Sequence, residues 1–194
     1  MPSDPQELQV LRALVGAFEK LGIRYAISGS IASSVYGQIR FTRDADITVE
    51  PFPSKAEHLQ QLLKADFYIS KHAMHQALLN HSSFNVIHFQ TAFKIDIFIQ
   101  GSNDFDRQLL ARSKKLKLTE SIDKLFSFVS PEDIILLKLK WYSDSGRVSE
   151  RQWFDIIGVL NLQHGSLDFD YLHSWATNLG LNDLLQKAIS ESKP

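Results

Sequence analysis

Residues 28 to 50 read SGSIASSVYGQIRFTRDADITVE, and this stretch decides how the rest of the chain is read. The residues just before it, Arg24 to Ile27, have the character of a buried strand. Gly29-Ser30 then reads as a tight turn and Ile31 to Tyr36 as a short helix. The first amides of a helix have no intrahelical acceptor, so such a start attracts phosphate. Further on, Asp44 to Val49 alternates with the period of a strand: Asp44, Asp46 and Thr48 take one face, Ala45, Ile47 and Val49 the other. The two carboxylates therefore point the same way. Neighbouring like charges stay ionised together only if a cation, usually a metal, lies between them. A solvent-facing polar strand edge explains a lone Asp-x-Asp equally well, so the spacing alone does not choose.

The chain has 194 residues, enough for one large domain or a domain with a helical appendage, and a hydrophobic fraction of 44% supplies an ordinary core. Its 21 basic and 22 acidic side chains leave a net charge of -1, so nothing in the overall balance demands nucleic acid or a membrane as partner. Any nucleic-acid contact has to be local. The absence of cysteine excludes disulfides and thiolate metal sites and fits a reducing cytosol. The polar start MPSDPQELQ lacks a basic segment followed by an apolar one, and no apolar run approaches the roughly 18 residues of a membrane span. The expectation is a soluble cytoplasmic protein.

Upstream of the opening stretch, Leu8, Leu11, Leu14, Val15 and Phe18 recur at helical spacing and Gly22 ends the pattern. Downstream, Pro51 and Pro53 stop the strand, and Ser54 with Glu57 forms a capping-box pattern that predicts a helix through Leu63, with Leu59, Leu62 and Leu63 inward. Phe67 to Ser70 reads as a short strand, and Lys71 to Asn80 as a helix or a connection. His72, His75 and His81 complete no known zinc pattern and read as surface histidines. Ser83 to Phe89 and Phe93 to Ile99 predict an antiparallel pair. In the second of these, Phe93, Ile95, Ile97 and Ile99 form a core face, which leaves Asp96 on the other. A carboxylate within so apolar a strand must be solvated or paired, because burying it alone costs several kcal/mol.

Asn103 to Lys114 reads as an amphipathic helix, with Arg112, Lys114, Lys115 and Lys117 as a basic patch, and Leu125 to Val129 as a last strand. Ser130-Pro131-Glu132-Asp133 has the cap, proline and early acids of a helix start. The helix IILLKLKWY that follows is apolar nearly all round, so Lys138 or Lys140 must snorkel out or meet an anion. Gly146 lies in a polar turn that reads as a hinge before a helical tail. Ser149 and Gln152 repeat the capping box ahead of a helix that holds Asp155 among apolar residues.

In chain order these features are a strand, Gly29-Ser30, thirteen intervening residues, Asp44-x-Asp46, and later Asp96 within an apolar strand. This arrangement resembles the nucleotidyltransferase superfamily that includes DNA polymerase beta. Gly37, Arg40, Thr42, Asp44 and Asp46 are similar to the Gly-x-x-Arg-x-Thr-x-Asp-x-Asp form of small bacterial members, including toxins of the AbiEii type. The lysine helix followed by Asp155 is similar to a further motif of those members. The resemblance touches roughly Tyr25 to Leu160. It implies an α+β fold with a mixed sheet flanked by helices over residues 1–130, and a C-terminal helical part over 131–194.

It also implies an enzyme that transfers a nucleoside monophosphate from a nucleoside triphosphate, ATP included, to a hydroxyl. The roles it carries over make Asp44, Asp46 and Asp96 catalytic and metal-binding, with Mg2+ or Mn2+ as cofactor. Three carboxylates hold two such ions roughly 4 Å apart in chemistry of this kind. Gly29 and Ser30 are implied to meet the triphosphate, and Arg40, Arg43 and one of Lys138 or Lys140 to neutralise phosphate charge. Asp155 either orients that lysine or bonds a neighbouring cap. The acceptor is left open between RNA such as a tRNA end, a protein side chain and a small molecule. If it is RNA, the patch from Arg112 to Lys117 is the place to look. A reading of a different class is a catalytically silent module that binds nucleotide or a cognate partner protein in a two-gene, toxin-antitoxin-like system. A calcium site at Asp44 and Asp46 lacks the oxygen-rich loop it needs.

Overall fold

Alternating apolar residues build the sheet, and helical apolar stripes cover it. The computed structural model describes residues 6–38, 44–118 and 123–193. Arg40, Thr42 and Arg43 lie outside the described residues. The chain divides into two compact units by its contacts. The first takes the described residues of 6–27 and 44–128, the second those of 28–38 and 129–193.

In the first unit, α1 (Gln6–Lys20) buries Leu8, Leu11, Leu14, Val15 and Phe18, and Gly22 beyond its end takes φ +61°. β1 (Tyr25–Ser28) is buried throughout. After α2 (Gly29–Tyr36), which belongs to the second unit, come β2 (Asp44–Val49), a 3-10 turn at Pro53–Lys55 and α3 (Ala56–Leu63). Ser54 lies in that turn and no side chain caps α3, so the expected capping box does not form. Leu59 and Leu63 are buried, whereas Leu62 is 40% exposed.

β3 (Phe67–Ile69), α4 (Lys71–Asn80), β4 (Ser83–His88) and β5 (Lys94–Ile99) follow. α5 (Asp104–Ala111), capped by Asn103, ends before Lys114. Lys114–Lys117 forms β6, which pairs antiparallel with β7 (Leu125–Phe128); the expected helix stops short because backbone pairing to β7 claims these lysines.

The strands form a mixed seven-stranded sheet in the order β3-β4-β5-β2-β1-β7-β6, parallel between β1 and β7 and between β2 and β5. Pairing is antiparallel from β3 to β4 and from β4 to β5. Phe67, Phe84, Val86, Ile95, Ile97, Ala45 and Ile47 are buried, while their strand neighbours Tyr68, Asn85, Asp96 and Asp46 keep access to solvent. α3 and α4 pack on β3, β4 and β5.

The second unit is helical. α6 (Pro131–Asp144), α7 (Glu150–Gln163), α8 (Phe169–Asn178) and α9 (Asn182–Glu191) join α2 there. Side chains of Ser130, Ser149 and Asp168 cap α6, α7 and α8 by accepting from the amides of Asp133, Gln152 and Tyr171. α2 packs on α6 and α7. Gly37 sits so close to α7 that a Cβ there would lie 3.0 Å from the Gly158 carbonyl carbon and from the Val159 nitrogen. No helix among the described residues is long and apolar enough to cross a membrane.

Candidate active site

The carboxylates of the first unit are arranged by strand register. β2 and β5 run parallel with Asp46 opposite Asp96 and Asp44 opposite Lys94. Opposed residues share a face of the sheet, so Asp44, Asp46 and Asp96 point to one side, with the isoleucines of both strands on the other. Asp44 is exposed, Asp46 half-buried, and the side chain of Asp96 is 20% exposed. Solvent contact and pairing together allow a charged group on an apolar strand.

A cation on this face among the described residues is Lys94, whose Nζ lies 3.0 Å from Asp96 Oδ2. Its pKa is raised, first by the hydrogen bond to Asp96, with partial burial opposing, and then by the charges of Asp96, Asp44 and Asp46. All three carboxylates therefore act on one ammonium. Among the described residues, no group of three or more His, Cys, Asp or Glu side chains is gathered closely enough to hold a metal ion as the chain stands. His75 approaches Glu57 at 3.4 Å on the surface.

In the second unit, Gly29 opens α2 with φ +60°, a left-handed conformation that glycine adopts without strain. Gly29 and Ser30 are thus the first residues of the helix itself, not a turn preceding it. Within α2, the Ser33 hydroxyl donates to the Gly29 and Ser30 carbonyls at 3.2 and 3.0 Å.

The two lysines of α6 have different surroundings. Lys138 is 1% exposed and its Nζ lies 2.7 Å from Asp155 Oδ2, so it meets its anion inside the helical unit. It also donates to Gln152 Oε1 at 2.9 Å. Lys140 is exposed and pairs with Asp144 at 2.7 Å along the same helix. Asp155 thus meets the Lys138 ammonium directly.

Three further residues were not singled out from the sequence. Lys94 follows from the alternation that exposes Asp96, since the two are two apart on one strand. Gln152 reads only as a capping-box residue, yet its side chain turns to Lys138. Tyr171 donates to buried Asp133 Oδ1 at 2.6 Å, a contact between distant helices that no local pattern announces.

The overall fold recurs in solved structures. An antigenic nucleotidyltransferase-like protein from Paracoccidioides brasiliensis superposes with a TM-score of 0.59 at 18% identity, over 99% of this chain and 96% of that one. The chain has the nucleotidyltransferase fold. The lincosamide antibiotic adenylyltransferase LnuA, solved with lincomycin bound, shares that fold at a TM-score of 0.53 and 19% identity, over 82% of this chain and 98% of its own. ANT(2'')-Ia in complex with adenylyl-2''-tobramycin shares it at 0.63 and 10% identity, over 91% and 98%. No protein-family model matches the sequence, and no curated protein matches it.

Proposed function

We propose that this chain is a metal-dependent nucleotidyltransferase that moves a nucleoside monophosphate from a nucleoside triphosphate to a hydroxyl acceptor and releases pyrophosphate. The observation that carries this reading is the register of β2 against β5, which sets Asp46 directly opposite Asp96 and keeps Asp44 on the same face. The donor set fits a hard divalent cation such as Mg2+ or Mn2+, because it is all carboxylate oxygen. Asp44, Asp46 and Asp96 would hold the metal, which when bound supplies charge neutralisation and acidifies the attacking hydroxyl.

The chain's own groups do the rest. A carboxylate oxygen of Asp96 takes the acceptor's proton as the acceptor oxygen bonds to the α-phosphorus, and the bond from that phosphorus to the β-phosphate breaks. Gly29 lets phosphate approach backbone closely and Ser30 donates to it. Lys138 is buried and neutralised by Asp155, which leaves Lys140, Arg40 and Arg43 as the cations assigned to phosphate. Two of the structural neighbours act on or carry antibiotics, by their names an adenylyltransferase for lincosamides and an adenylylated tobramycin complex. A small molecule is therefore the acceptor class this reading favours over RNA or protein.

The test is incorporation of label from each of the four triphosphates, with magnesium, into small hydroxyl compounds and into cell extract. Label transfer that Asp46→Asn reduces by on the order of a thousandfold, the scale of losing several kcal/mol of charge stabilisation, is the expected result. Transfer by Asp46→Asn at the parent rate would falsify the site. One observation favours the silent-module reading: Lys94 already neutralises Asp96. That reading predicts nucleotide binding without any transfer.

A further inference from the structure

The face that carries the carboxylates continues past β5 onto β4 and β3. Asn85 stands opposite Asp96, Ile87 opposite Lys94, and Tyr68 opposite Ile87. Opposed residues share a face, so Tyr68, Ile87 and Asn85 form an extension of the surface bearing Asp44, Asp46 and Asp96. Tyr68 is 54% exposed, Asn85 exposed and Ile87 half-exposed. A flat aromatic ring beside an aliphatic side chain, left in water on the same sheet face as three acids, is an uncommon use of a sheet face. Resting on the transfer reading above, we propose that Tyr68, Ile87 and Asn85 form the platform on which the hydroxyl acceptor lies, and that its occupant is an uncharged or cationic small molecule with a ring face.

Geometry and charge choose this occupant. Strands lie about 4.8 Å apart and residues two apart on a strand about 7 Å, so the Tyr68 position is about 12 Å from the Asp96 position. A molecule of two or three rings spans that distance, with one end on the tyrosine and a hydroxyl at the carboxylate. Along these cross-strand rows stand three carboxylates and one ammonium, and the ammonium is tied to Asp96. The platform residues Tyr68, Ile87 and Asn85 themselves carry no cation to hold a phosphate backbone, which argues against RNA. An uncharged ring stacks on Tyr68 and packs on Ile87, while Asn85 supplies a donor and an acceptor to its polar edge. Asp96 borders the platform through Asn85, which makes it the carboxylate nearest the arriving hydroxyl.

The platform is tested by binding, with no triphosphate present. Phenyl β-glucoside serves as the uncharged ring-bearing probe and a short single-stranded RNA as the polyanion, each titrated into the isotope-labelled full chain while amide and methyl resonances are followed. The glucoside should shift Tyr68, Asn85 and Ile87 at millimolar concentration. Tyr68→Ala should weaken it about fivefold, as loss of one ring contact does, and Tyr68→Phe should retain it. Because Tyr68 is exposed, the rest of the spectrum reports whether the variant keeps its fold. The proposal is overturned if the glucoside shifts none of the three, if Tyr68→Ala binds it equally, or if RNA shifts them at lower concentration than the glucoside. Binding without label transfer would sink the transfer reading and leave the platform. Transfer without binding would do the reverse.

Discussion

The buried pair of Lys138 and Asp155 offers the sharpest test of how the helical unit is held. Replacing Asp155 by Ala removes the carboxylate 2.7 Å from an ammonium that is 1% exposed and that also donates to Gln152 Oε1 at 2.9 Å. Breaking one side of a buried pair costs about 3–5 kcal/mol, because the remaining charge loses its compensation while staying desolvated. The Gln152 contact points to the lower part of that range. For a chain of this size each kcal/mol moves the melting temperature by about 2–4 °C, so Asp155→Ala should lower it by about 6–12 °C for a loss of about 3 kcal/mol. The double change Lys138→Met with Asp155→Leu removes both charges and refills the space, and should lie within about 1–2 kcal/mol of the parent. Urea unfolding followed by circular dichroism gives all the midpoints. The reasoning fails if the double variant is as unstable as the worse single one, or if Asp155→Ala loses less than about 1 kcal/mol.

Other contacts make shorter predictions. Gly37→Ala introduces a Cβ 2.8 Å from the Ser33 carbonyl oxygen and 3.0 Å from α7 backbone atoms. Backbone cannot give way as a side chain does, so a loss of about 1–3 kcal/mol is expected, and an unchanged urea midpoint would refute the close approach. Tyr171→Phe removes the 2.6 Å hydrogen bond to buried Asp133 and should cost about 1.5–3 kcal/mol, since the acceptor is a carboxylate; a calorimetric melt at parental temperature would count against it. The pKa of Lys94 is raised in the folded chain above its ordinary 10.5, so its stabilising contribution is complete below that pH and fades as pH rises through the higher folded value. Lys94→Met should remove that alkaline component of the stability profile. Curves that stay parallel from pH 9 to 12 would show that Lys94 is not held by the acids.

Much of the sheet was legible because a strand repeats every two residues. The alternation in Asp44 to Val49 and in Phe93 to Ile99 dictates which side chains are core, and both carboxylate faces follow from it directly. The caps of α6 and α7 were legible for a related reason, since a serine three residues before the amide it caps is a local matter. The capping pattern at Ser54 failed because Pro53 draws that serine into a 3-10 turn. β6 went unseen because Lys-Lys-Leu-Lys has little strand propensity; only its pairing with β7 makes it a strand.

What the sequence by itself determined is therefore the faces: which side of each strand and which stripe of each helix carries the chemistry. What only the tertiary structure decided is which faces meet. Asp46 and Asp96 are far apart in the chain, and nothing local states that their strands lie side by side, parallel and in that register. Lys138 and Lys140 are two apart on a helix that is apolar nearly all round. Local pattern could not choose between them until α7 packed against α6 and brought Asp155 to Lys138. Periodicity is written by steric rules within a few residues, whereas register and partner choice come from the summed burial of surfaces distant in sequence, which no short stretch contains.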